Sequence, residues 1–404
     1  MAHTRDRFIR ESFKKIVGYS PIVGILGHRQ VGKTTFLESE VNNYLTFDDF
    51  STVDLARKDP KSFLQGQKNK MTAIDECQYV ESLFPALKEA VRLNKKPGQF
   101  VLSGSVRFTS KKSIRESLTG RVIYLELLPL TVSELRNESL PNTAINLLNF
   151  RSSEKYCASI QKYLPGVLKL RPYVEQYLVN GGLPGVCFTR EVSLRDSKIK
   201  DQLSTIIDRD LRMIYETKLP YLQIIDYLRL LAANEGQPLN YSKLARATRI
   251  SEEVQKNLLF ALEAVFVIRL MPVEGRRTNS LVYFEDQAEM GFLAGSSITE
   301  EQKYEGLLYR NIRAQFSYTL GHNVRYFQYL TRGKARVPLA IQSNNGRFGM
   351  ILIQDKSPNK SEKQMAASFL KTYSDSMLVF ISPQVKSTEV IDDRSFVAPI
   401  ELFV

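Results

Sequence analysis

Two short runs hold residue types suited to handling phosphate. The first is GHRQVGKT, residues 27–34, in which two glycines, a lysine and a threonine stand at the spacing G-x-x-x-x-G-K-[ST]. Glycines at that spacing let main-chain N–H groups approach an anion closely, and a helix beginning at the lysine adds the positive end of its dipole. The candidate phosphate-binding residues are therefore Gly27, His28, Arg29, Gln30, Val31, Gly32, Lys33, Thr34 and Thr35. His28, Arg29 and Gln30 fill variable positions, and no special role is expected of them. Lys33 is expected to reach the β- and γ-phosphates of ATP, and the Thr34 hydroxyl to ligate Mg²⁺.

The second run is MTAIDE, residues 71–76, an apolar stretch that ends in two carboxylates. Asp75 is expected to hold Mg²⁺ through water, and Glu76 to orient and polarise an attacking water. The catalytic candidates are thus Lys33 and Glu76, and the metal candidates Thr34 and Asp75. A third run, FVLSGS (100–105), ends in serines, of which Ser103 or Ser105 is a candidate sensor of the terminal phosphate; a plain turn serine is the simpler reading.

These residues need a scaffold that brings loop ends together. Up to about residue 150, apolar strands alternate with helical patterns, the signature of a parallel sheet. The candidate strands are PIVGIL (21–26), YLTF (44–47), MTAID (71–75), FVLSG (100–104) and VIYLEL (122–127), with a helix over 81–93. From about 151 to 299 the chain reads as helical. YLVNGGLPGV (177–186) marks a turn between helices, and NYSKLARATRISEEV (240–254) has the outline of a helix-turn-helix capped by Ser251, followed by a strand at VYF (282–284). Lys243, Arg246 and Arg249 are its candidate nucleic-acid contacts; a solvated face is the plainer reading. From 300 to 404 the pattern is α+β, with helices near 305–318 and 363–373 and strands at 325–330, 337–341, 349–354 and 376–382.

The chain has 404 residues, enough for two to four domains, and a formal net charge of +13. That charge fits a nucleic-acid partner bound through phosphates; a generally basic surface with no specific acidic partner fits it too. No run reaches the roughly 18 apolar residues of a membrane span. The charged start MAHTRDRFIRES is not a signal peptide, and three scattered cysteines make neither a disulfide framework nor a metal set, so a cytoplasmic location is expected. His3 and His322 form no cluster with each other or with cysteine.

RQVGKTT, YLTFDD, DPKSFL, IDECQ, QFVLSGS and SLTGRV resemble, in order and spacing, a group of prokaryotic AAA-type ATPases of largely unassigned role. YLVNGGLPGV, DRDL (208–211), the helix-turn-helix stretch, VYFED and Glu305 extend the likeness along nearly the whole chain. The resemblance implies an α/β fold: a P-loop NTPase (AAA-like) parallel sheet over 1–150, a helical and winged-helix domain over 151–299, and a C-terminal α+β domain like restriction-type nucleases (PD-(D/E)XK-like) over 300–404. It also implies a homo-oligomer in which Arg121 completes a neighbour's site. A DNA partner and a protein client are expected; a membrane is not.

The chain departs from that family in its last domain. Where the family shows Glu-Val-Asp-Phe and Glu-Val-Lys, this sequence reads RVPL and QDK. Pro338 and Gln354 take the acidic positions and Lys356 matches, while Asp355 would point to the opposite strand face. Metal-dependent cleavage is therefore not expected. The leading expectation is a Mg²⁺-dependent ATPase that grips or remodels a partner; the alternative is a nucleotide-switched scaffold with slow hydrolysis.

Overall fold

The computed structural model describes residues 5–67, 70–107, 112–274, 276–319, 321 and 323–404, so His3 and His322 lie outside the described residues. Five strands build the first sheet: β1 (Ile22–Leu26), β2 (Asn43–Thr46), β3 (Thr72–Asp75), β4 (Phe100–Gly104) and β5 (Val122–Glu126). Their order is β2-β3-β4-β1-β5, and every pairing is parallel. β1, β3 and β4 are buried along their whole length, which is why they read as unbroken apolar runs. The interior strand β1 feeds the glycine loop, and its neighbour but one, β3, delivers the two carboxylates to the same sheet edge. This is an α/β fold with a parallel sheet, followed by a helical region and a mixed C-terminal sheet.

The helix-turn-helix stretch forms two helices, Tyr241–Thr248 and Glu252–Ala264. Arg249 caps the first in the left-handed conformation, and Ser251 accepts from Val254 N at the start of the second. Leu258, Leu259 and Leu262 are buried, as the periodicity predicts. After them comes a hairpin of β6 (Ile268–Val273) and β7 (Arg276–Phe284).

That hairpin is not confined to the middle block. It continues, through β6 and β8 (Arg325–Leu330), into a sheet with β9 (Arg336–Ser343), β10 (Gly346–Leu352), β11 (Ser376–Ser382), β12 (Glu389–Asp392) and β13 (Ser395–Pro399), in the order β12-β13-β11-β10-β9-β8-β6-β7. The apolar packing crosses blocks as well. One cluster joins Val23 and Ile25 of β1 to Leu203, Leu228, Leu262 and Tyr318. A second joins Leu130 and Tyr177 to Met350, Phe396 and Val404. The three blocks therefore share cores.

One expectation for the last region needs correction. Gln354, Asp355 and Lys356 are not on a strand: β10 ends at Leu352, and all three are exposed in a bend. Pro338 is buried in the interior strand β9, opposite a register shift between Phe327 and Tyr329 of β8, an irregularity at which a missing N–H donor is tolerated. Glu305 pairs with Arg336. Both its oxygens take the Arg336 guanidinium, Oε1 from Nη1 at 2.9 Å and Oε2 from Nη2 at 2.6 Å.

No helix among the described residues is long and apolar enough to cross a membrane. The three cysteines are buried and free.

Candidate functional site

The loop after β1 is shaped by close contacts and by backbone that favours glycine. A Cβ on Gly27 would lie 2.2 Å from the Leu127 carbonyl oxygen, so a side chain there would displace the strand exit. Gly32 takes φ +95 as it starts the helix Lys33–Glu40, and Gln30 also has positive φ. From outside, Arg7 braces the loop by donating from Nη1 to the Val31 carbonyl at 2.9 Å. Lys33 is buried, with Nζ donating to the carbonyls of Gly27 and His28, each at 3.0 Å. Burial pulls its pKa down, against the opposing pull of Glu76 and Asp75.

Thr34 and Asp75, predicted as metal residues from runs 41 positions apart, are brought together. Thr34 Oγ1 donates to Asp75 Oδ2 at 2.9 Å, and the Tyr44 hydroxyl donates to the same oxygen at 2.6 Å. Asp75 Oδ1 accepts from the Glu76 N–H at 2.9 Å and from the Ser103 hydroxyl. Ser103 is fully buried and touches the first carboxylate, whereas Ser105 lies 3.4 Å from Glu76 Oε2. Glu76 sits at φ 53, ψ 38, a left-handed conformation that costs a non-glycine residue about 1 kcal/mol or more and is found where function holds it. Gln78 Nε2 donates to its carboxylate. Burial raises the Glu76 pKa and Lys33 opposes that rise, leaving it above the ordinary carboxylate range.

A hydroxyl and a carboxylate at one point are hard oxygen donors. Mg²⁺ is commonly held by one or two such protein groups together with substrate phosphates and waters. The residues present fit that ion. Among the described residues no group of three or more His, Cys, Asp or Glu could hold a metal by itself.

A cavity of about 1130 Å³ opens in front of these groups. Its lining includes Lys33, Thr34, Thr35 and Glu76 together with Arg5, Arg10, Asn137, Pro184, Gly185 and Phe188. The Pro184 end is fixed by the turn Gly181-Gly182. Gly181 has φ +66, and a Cβ there would meet Asp286 Oδ1 at 2.4 Å. Asp286 caps the helix Gln287–Ala294 and also accepts from Gly182 N at 2.7 Å and Leu183 N at 3.1 Å.

The variable loop positions, expected to be idle, are tied to distant elements. His28 Nε2 lies 3.1 Å from Glu289 Oε2, Gln202 bridges His28, the Arg29 carbonyl and Glu289, and Arg29 Nη1 lies 3.2 Å from Asp210 Oδ2. These partners escaped sequence reading; the signals near them were the runs DRDL and VYFED. Arg121 lies away from the cavity, partly exposed, donating to the Thr119 carbonyl at 3.0 Å. Lys243, Arg246 and Arg249 are exposed on and after the helix Tyr241–Thr248.

Residues 19–136 match the profile of an AAA domain. Residues 171–282 match a domain of unknown function, DUF8612. With the loop and carboxylate geometry, the first match supports a nucleotide-hydrolysing P-loop ATPase. The uncharacterized protein Rv2008c of Mycobacterium tuberculosis is 24% identical over 362 residues, 86% of this chain and 74% of the relative. The uncharacterized protein MJ1544 of Methanocaldococcus jannaschii is 26% identical over 278 residues, 64% of this chain and 58% of the relative. Among solved structures, the Walker-type ATPase PABY2304 of Pyrococcus abyssi aligns at 16% identity and a TM-score of 0.38, covering 72% of this chain and 96% of that one.

The His28–Glu289 pair makes a pH prediction. Burial works against a charged imidazole, but Glu289, with help from Asp286, outweighs it and raises the His28 pKa. A raised folded value means that the pair's stabilisation is complete below the unfolded value of about 6.5 and is lost as pH rises through the higher folded one. Thermal unfolding from pH 5 to 9 should show the wild type losing stability across that window relative to His28→Gln. Parallel pH profiles would refute the assignment.

Proposed function

We propose that this chain is a Mg²⁺-dependent ATPase whose nucleotide cycle changes its grip on DNA. The observation that carries the proposal is that Lys33, Thr34 and Glu76 line a single cavity, with Asp75 hydrogen-bonded to Thr34. The loop N–H groups and Lys33 bind and orient the phosphates. Thr34 and Asp75 would hold Mg²⁺, which when bound neutralises phosphate charge. Glu76, fixed by Gln78, orients the attacking water and takes its proton; a carboxylate whose pKa is raised is the better base. Ser103 keeps Asp75 aimed. Arg121, partly exposed and outside its own cavity, is read as a contributor to a neighbour's site in a homo-oligomer. Turnover of purified protein with and without Mg²⁺, and with and without single- and double-stranded DNA, tests the proposal; absence of hydrolysis under all conditions would reject it.

The DNA part is supported by the +13 charge and by exposed Lys243, Arg246 and Arg249 on and after the first of two helices that a strand hairpin follows. Binding through phosphates loses affinity steeply with salt, with a slope of about −0.9 per neutralised phosphate on duplex. Replacing the three cations with alanine should weaken duplex binding at low salt and flatten that slope. Binding that ignores salt would count against phosphate contacts.

The C-terminal region should not cut DNA. Phosphodiester cleavage by metal needs anionic ligands that are free to converge on Mg²⁺. Pro338 supplies no side-chain donor, Gln354 supplies a neutral one from a bend, and Glu305 is clamped on both oxygens by Arg336. Supercoiled plasmid incubated with protein, Mg²⁺ or Mn²⁺ and ATP should stay intact; nicking abolished by Lys356→Ala would overturn this.

A further inference from the structure

Arg29 is a cation to which the hydrolysis scheme above gives no role. Arg29 lines the same cavity as Lys33 and Glu76. Its Nη1 lies 3.2 Å from Oδ2 of buried Asp210, whose other oxygen, Oδ1, lies 3.3 Å from Arg209 Nε. The Arg209 guanidinium sits 5.0 Å from the centre of the Tyr79 ring and 4.0 Å from Asp48. Tyr79 belongs to the turn Cys77–Tyr79 that directly follows Glu76. The three charged residues therefore bridge the phosphate loop and the turn carrying the second carboxylate.

Their backbone is a second, independent observation. Arg209 and Asp210 lie in the π-helix Ile206–Leu211, which interrupts the helical path after Val192–Thr205. Such wide turns are rare and gather at functional sites, because the inserted residue re-aims the side chains around it. Here it puts Asp210 against a loop 181 residues away in sequence. A plain structural ion pair would not require the arginine to line the cavity. Arg29 also repels Lys33, and Asp210 offsets that repulsion. A terminal phosphate beside Lys33 would supply a second anion, and a guanidinium fork suits phosphate oxygens.

We propose that Arg29 is an arginine supplied by the chain to its own site, neutralising charge on the transferred phosphoryl group. Asp210, anchored by Arg209, is the positioning residue that holds Arg29 in place. The inference rests on the reading of this site as an ATPase. In the step, water oxygen bonds to the terminal phosphorus while the bond from that phosphorus to the bridging oxygen breaks. The water proton passes to Glu76, the electron pair stays on the departing diphosphate, and Arg29 donates hydrogen bonds to the terminal oxygens without losing a proton.

The test is steady-state turnover of Mg²⁺–ATP by the full chain, with ADP affinity measured alongside, for wild type, Arg29→Ala, Arg29→Lys, Asp210→Asn and Lys33→Ala. An arginine acting on the transition state is worth roughly 10³ to 10⁵ in rate. Arg29→Ala should lose kcat on that scale while KM and ADP affinity hold, the split that marks a contact made only in the transition state. Arg29→Lys should recover part of the rate, and Asp210→Asn should lose less than Arg29→Ala, again in kcat. Mixing Arg29→Ala with Glu76→Gln subunits should not restore turnover, since both defects lie in one subunit's own site. If Arg29→Ala unfolds, Arg29→Lys decides: reduced kcat supports the proposal and wild-type kcat overturns it. Wild-type kcat in Arg29→Ala, or a loss confined to KM and ADP affinity, would overturn it. If Lys33→Ala is inactive in that case, only this inference falls; if Lys33→Ala also turns over normally, the ATPase reading falls with it.

Discussion

Lys33→Ala is expected to weaken ATP binding by about 10²-fold or more and to remove turnover. The ammonium is buried, and its hydrogen bonds run to two carbonyls of the loop that must receive the phosphates. Truncating one partner of a buried, charge-assisted contact costs roughly 2–5 kcal/mol, and each 1.4 kcal/mol or so is tenfold in affinity. The variant also leaves the Gly27 and His28 carbonyls without that donor, so the loop should loosen. Calorimetric titration with ATP and ADP measures the loss. Because Lys33 is expected to serve the β- and γ-phosphates, the penalty should be larger for ATP than for ADP. Wild-type affinity for both nucleotides would mean that the loop does not carry the phosphates.

A comparably large effect is expected on stability from Arg313→Ala. Arg313 donates to Glu285 Oε2 at 2.7 Å and also pairs with Glu126; Arg269 joins the same two carboxylates, reaching Glu285 Oε1 at 2.5 Å. Glu126 ends β5, Arg269 is on β6, Glu285 follows β7, and Arg313 is on the helix Glu300–Tyr318. The network thus fastens the parallel sheet to the hairpin and to the long helix. Removing one member of a buried charge network leaves its partner uncompensated, at a cost of about 3–5 kcal/mol. Urea unfolding should show that loss as a lower midpoint. The pH dependence adds a check. Burial pushes the Glu285 carboxyl up, but Arg313 and Arg269 outweigh it and hold its pKa well below the usual range. A lowered folded value gives stability that is present above the unfolded value of about 4.3 and is lost as pH falls through the folded one. Arg313→Ala should flatten that acid limb. An unchanged midpoint and acid profile would show that the network is not holding these elements together.

The parallel sheet was legible because its strands are short, mostly apolar runs of four to six residues, and all five proposed strands exist within a residue or so at either end. The loop and the two carboxylates were legible for the same local reason: their chemistry is written in consecutive residues. What escaped depends on distance along the chain. Asp210, Gln202, Asp286 and Glu289 reach the loop or its cavity from other elements, and nothing beside them in sequence says which loop they will meet. β6 was missed because Ile268–Val273 follows a helix so closely that its apolar residues continue the same pattern. β12 and β13 were missed because Glu389–Asp392 is short and largely exposed, and Ser395–Pro399 ends in a proline that argues against a strand. Gln354 was placed on a strand because the apolar run before it gives no stop signal; the chain leaves the sheet at Leu352.

The most direct test of the ATPase account is a single-turnover experiment on Glu76→Gln beside the wild type. Limiting radiolabelled ATP is mixed with excess protein and Mg²⁺, and bound ATP and released phosphate are followed in time. Glutamine keeps the shape of Glu76 and the contact with Gln78 while losing the charge that takes the water's proton. The wild type should convert its bound ATP, while Glu76→Gln should bind ATP equally well and retain it, with hydrolysis slowed by about 10² to 10⁴. Equal rates of phosphate release from the two proteins would contradict that expectation.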